Sequence, residues 1–105
     1  MSSGKFGSAD LSANTDVLLY TAPESKVVTL SVRLCNRSAD AVRVRIAVGE
    51  GNAPANTDYI EHDTVLPPAG ILENSGIVMS AKEKLWVRSS AAGVSARAHG
   101  FEEAV

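Results

Sequence analysis

The stretch KVVTLSVRLC, residues 26–35, decides the fold class. Val28, Leu30, Val32 and Leu34 recur at every second position, with Thr29, Ser31, Arg33 and Cys35 between them. Successive side chains of an extended chain point to opposite faces, so this alternation describes a strand with one face in a core and the other in solvent. VRVRIAV, residues 42–48, repeats it, with Val42, Val44, Ile46 and Val48 on one side and Arg43, Arg45 and Ala47 on the other. The polar link Asn36-Arg37-Ser38-Ala39-Asp40 has hairpin length, which predicts that the two strands pair.

Working outward, Glu83 to Ser89 alternates again, Leu85 and Val87 against Lys84, Trp86 and Arg88. Ala91-Ala92-Gly93 then forms a short turn into Val94 to His99, and these two segments predict a second hairpin. Weaker strands fall at Val17 to Thr21, Tyr59 to Val65 and Ile71 to Met79, the last bulged around Asn74-Ser75-Gly76. Residues that preset φ, permit positive φ or bond back to the backbone separate them at Ala22 to Ser25, Gly49 to Pro54, Pro67 to Gly70 and Ser80 to Lys82. No segment has the pattern of a helix longer than one turn. About seven or eight short strands in 105 residues predict one antiparallel β-sandwich, jelly-roll-like, over residues 11–105. Residues 1–10, rich in Ser and Gly, read as a flexible arm outside it. The long segment from Gly49 to Asp58 reads as a solvated crossover between sheets, on a scaffold whose loops often carry contacts.

Composition narrows the function classes. Hydrophobic residues at 45% and charged residues at 21% are ordinary globular values and argue against disorder. A net charge of −2 gives no global attraction to nucleic acid or anionic membrane. No apolar run approaches the roughly 20 residues of a membrane helix, and the first residues lack a signal-peptide core, so synthesis in a cytoplasm is expected. The one cysteine, Cys35, leaves stability to packing.

Reactive constellations are scarce. The chain has no phosphate-binding glycine loop, no HExxH and no GxSxG. Glu61-His62-Asp63 cannot converge within one strand, although Glu61 and Asp63 would share a face. The expectation is a protein with no catalytic residue, cofactor or metal. What stands out is the outward set: Arg33, Arg43, Arg45, Arg88 and Arg97, five of the ten basic residues, lie opposite the apolar faces. Trp86 joins them by parity. Arginine forks and a surface tryptophan favour protein interfaces, and these six residues form the candidate interface.

The words Leu-Tyr-Thr-Ala-Pro at 19–23, Leu-Cys-Asn-Arg at 34–37, Val-Arg-Val-Arg-Ile-Ala at 42–47, Asp-Tyr-Ile-Glu-His-Asp at 58–63 and Leu-Pro-Pro-Ala-Gly-Ile-Leu-Glu at 66–73, with the segment at 94–103, follow an order that resembles small tailed-phage virion proteins. The likeness spans nearly everything after residue 15 and carries over no functional residue. It implies a β-sandwich subunit of a virion, made in the host bacterial cytoplasm. Such a subunit would form dimers or trimers and decorate the capsid through the major capsid protein, or belong to tail, baseplate or fibre. A carbohydrate- or receptor-binding module using Trp86 and the segment from Gly49 to Asp58 is the alternative.

Overall fold

The computed structural model describes residues 3–104. The alternation in residues 26–35 becomes a strand whose Val28, Leu30, Val32 and Leu34 are all at most 2% exposed. In chain order the strands are β1 (Ser3–Leu11), β2 (Val17–Thr21), β3 (Lys26–Asn36), β4 (Val42–Gly49), β5 (Tyr59–Leu66), β6 (Ile71–Met79), β7 (Lys84–Ser89) and β8 (Val94–Ala104), with one 3-10 turn at Asn56–Asp58. They form two antiparallel four-stranded sheets, ordered β1-β8-β3-β6 and β2-β7-β4-β5. The first strand thus pairs with the last, the second with the seventh, the third with the sixth and the fourth with the fifth. That nested pairing is a jelly roll, a β-sandwich made by wrapping one long folded ribbon.

The core lies between the sheets and takes alternate residues from both, among them Leu30 and Leu34 of β3, Val44 and Ile46 of β4, Leu85 and Val87 of β7 and Val94 of β8. Each such side chain, fully buried, stabilises the fold by about 1.5–3 kcal/mol relative to exposure. The expected bulge in β6 is present: Leu30 faces Ile77 and Val32 faces Asn74, leaving Ser75 and Gly76 opposite Ser31, with Gly76 at φ +70°.

Three expectations are corrected. β3 and β4 are not a hairpin, and neither are β7 and β8; in both cases the two strands lie in different sheets. Alternation tells which side chains face a core but not which strand lies alongside, and a five-residue link can span the roughly 10 Å between stacked sheets. Conversely, the segment from Gly49 to Asp58 joins β4 to its immediate neighbour β5, so it is a loop within one sheet rather than a crossover. Finally, residues 3–10 are not an arm. They belong to β1, which pairs with β8 from Ser3–Phe101 to Leu11–Val94; Met1 and Ser2 lie outside the described residues.

The sandwich has two unlike sides. At the β1/β2 side the rings of Phe6 and Tyr20 stack with centroids 4.6 Å apart, and the Tyr20 hydroxyl donates to Glu102 at 3.2 Å. A Cβ on Gly7 would collide with the Leu19 carbonyl oxygen, so glycine there lets the sheets close together. At the other side, Glu61 of β5 accepts from Asn74 of β6 at 3.1 Å and from Thr64 at 2.6 Å. At one end Asn36, fully buried, ties two loops: its amide donates to the carbonyls of Asp40 (2.8 Å) and Leu66 (3.0 Å), and its oxygen accepts from Ser38 N–H (3.0 Å) and Oγ (2.7 Å).

Candidate functional site: the outer face of the β2-β7-β4-β5 sheet

β4 and β7 pair so that Arg45 lies opposite Arg88 and Ala47 opposite Trp86. Extending the rows, Trp86 also faces Leu18 of β2, and Ala47 faces Tyr59 of β5. The outer face therefore carries an apolar row, Leu18, Trp86, Ala47 and Tyr59, beside a basic row led by Arg45 and Arg88. Ala47 is 1% exposed yet stands apart from the inter-sheet core. An alanine on an outer face becomes that buried only when larger neighbours cover it, and its direct partners are Trp86 and Tyr59. Trp86 is accordingly outside the main core but half-buried, and its indole nitrogen has no hydrogen-bond partner among the described residues.

The basic row is shaped by a bulge in β5. Val44 faces Thr64 while Ile46 faces Glu61, so His62 and Asp63 together oppose Arg45. Asp63 takes φ +53°, the left-handed region, and this reverses the parity expected from a regular strand. Its carboxylate points outward to receive two hydrogen bonds from Arg45, 2.7 Å from Nε and 3.2 Å from Nη2, while Glu61 turns toward β6. The two carboxylates thus do not share a face. The Arg45 guanidinium holds the Asp63 carboxyl below the usual carboxylate range. Arg45 also sits 5.8 Å from the Tyr59 ring centroid, a cation–π distance, and Tyr59 meets His62 edge-on at 4.8 Å.

Between these side chains lies a recess of about 50 Å³ lined by Asn14, Arg43, Arg45, Asp63, Arg88 and Ser90. Asn14 reaches it from the β1–β2 link, where φ is +54° and its N–H donates to the Ser89 carbonyl at 2.8 Å. Ser90 follows β7 directly; its hydroxyl accepts from Arg43 N–H at 3.0 Å.

Four of the six candidate residues, Arg43, Arg45, Trp86 and Arg88, come together on this face. Arg33 and Arg97 do not join them. They pair with each other on β3 and β8, in the opposite sheet, so their outward direction is the opposite one. Arg33 is bound to its cross-strand neighbour Glu73 at 2.7 Å. The candidate interface is therefore two patches on opposite faces. Alternation missed Asn14, Asp63 and Ser90: one lies in a link, one on a bulge and one just past a strand, where parity gives no signal.

Among the described residues no three of His, Cys, Asp or Glu converge as metal ligands. His62 lies on β5 and His99 on β8, in different sheets. No family model matches the chain, and no curated protein matches its sequence.

Proposed function

We propose that this chain is a non-catalytic structural accessory protein of a phage particle, stabilising or decorating the capsid by associating with copies of itself and binding the major capsid protein. The observation that carries the reading is the open β5/β6 side. Both strands are sheet edges, and among the described residues four of the six exposed large hydrophobics, Ile60, Val65, Ile71 and Val78, belong to them. An exposed edge strand invites pairing with another chain; β5 and β6 each carry a bulge, which blunts an edge, yet they keep these apolar side chains in solvent. Further support comes from the jelly-roll order, which recurs in viral capsid proteins and in lectins; that analogy speaks to fold.

The test is sedimentation. The purified protein should run as a dimer or trimer and co-sediment with capsids. A Val65→Lys/Ile71→Lys double variant should stay folded, since both positions are more than half exposed, but become monomeric and lose the capsids. A wild-type monomer at high concentration that binds no particle would refute the reading, and binding to tails alone would move the subunit to tail, baseplate or fibre. The lectin-like alternative rests on the apolar row around Trp86, beside which the β4–β5 loop leaves the sheet. Glycan binding abolished by Trp86→Ala with capsid binding intact would favour it.

A further inference from the structure

The recess on the β2-β7-β4-β5 face is out of electrical balance. Arg43, Arg45 and Arg88 line it, and among the described residues Asp63 and Asp16 are the carboxylates paired with them, leaving one positive charge in excess. The pairing is uneven as well. Arg45 engages both Asp63 oxygens, whereas Arg88 approaches Asp16 only to 3.6 Å, beyond hydrogen-bonding distance. Arg43 has no carboxylate partner among the described residues; its guanidinium donates once, to the Asp63 carbonyl at 3.3 Å. A guanidinium offers five N–H groups, so most donors of Arg43 and Arg88 are uncommitted. The Asn14 amide and the Ser90 hydroxyl proton add uncharged donors at the rim.

The register sharpens this. Arg45 and Arg88 are directly opposed across β4 and β7, and like charges at such positions repel. Asp63 offsets part of that repulsion; an anion in the recess would offset the rest. The volume, about 50 Å³, matches one to two waters at about 30 Å³ each. A carboxylate fits that space, offers a planar two-oxygen edge to guanidinium forks, and carries the single negative charge the excess calls for. A phosphate dianion would overshoot it.

We propose that this recess is a receptor for one carboxylate, presented by an Asp or Glu side chain of the protein that the subunit docks on. The recess chemistry stands by itself; the source of the carboxylate rests on the assembly reading above.

Two measurements separate them. In the first, the Nε–Hε resonances of the intact protein are followed by NMR during titration with acetate at constant ionic strength. Arg43 and Arg88 should shift saturably, Arg43→Gln should weaken the response at least about tenfold, and Arg33→Gln on the opposite face should leave it unchanged. A non-saturating response, one that survives Arg43→Gln, or tighter binding of sulfate than of acetate overturns the carboxylate receptor. In the second, Arg43→Gln and Arg88→Gln are sedimented with capsids. Loss of co-sedimentation, with Arg33→Gln retaining it, supports an acidic side chain as the source; full retention in a protein that binds acetate overturns that source. Wild type that binds acetate but no capsid refutes the assembly reading and leaves the receptor standing.

Discussion

Asn36 ties the end of β3 to two other stretches of backbone. From the end of β3 its side chain reaches the carbonyls that close the next link and the β5–β6 turn, and its own backbone exchanges hydrogen bonds with Ala69 and Gly70 at 3.0 Å each. Asn36→Ala removes the side-chain donor to the buried Leu66 carbonyl and the acceptor of Ser38 N–H and Oγ, and should destabilise the fold by about 2–4 kcal/mol in urea denaturation; a loss below about 1 kcal/mol would contradict this role. Tyr20 gives a second reading at the same scale. Burial, with the neighbouring Glu102 carboxylate adding to it, pushes its phenol from 10 up to about 12. A raised folded-state pKa means that the neutral phenol's contribution is whole below pH 10 and is lost as pH rises through about 12. In a Tyr59→Phe background the remaining phenol should titrate by absorbance near 12, with stability falling across the same window; a midpoint near 10 would show that the hydroxyl is not shielded.

At the scale of elements, β1 makes the sharpest prediction. Removing residues 1–10 would be harmless if they were an arm. Because residues 3–10 pair with β8 and put Phe6 on Tyr20, the truncation should cost about 3 kcal/mol or more and expose β8 as a new edge, seen as a lowered melting temperature and aggregation on heating. β1 was illegible for a physical reason. Its sequence, SGKFGSADL, uses Gly7 where the sheets nearly touch and small residues beside it, so close approach chose the residues and hydrophobic alternation did not. β3, β4, β7 and β8 were legible because each buries one face in the same core. Their partners were not, since a strand with one apolar face looks the same whichever neighbour it has. The site was half legible in the same sense: outward parity found Arg43, Arg45 and Arg88, while the bulge that turns Asp63 toward them obeys local backbone geometry instead.

For the whole molecule, the nested order means that three of the four defining pairs join strands far apart in the chain, and only β4–β5 is local. Such topologies must close long loops before their contacts stabilise anything, so refolding should take milliseconds to seconds, measurable by stopped-flow fluorescence of Trp86; microsecond refolding would be at odds with this architecture. The same order brings Ser3 opposite Phe101, next to the last described residues of β8. A short peptide joining Ser3 to Ala104 should therefore close residues 3–104 into a ring, with new ends opened in the β4–β5 loop and the packing unchanged. By the same logic, two different cargoes attached at Ser3 and at Ala104 would emerge side by side from one corner of the molecule, so that every copy displays them as a fixed pair.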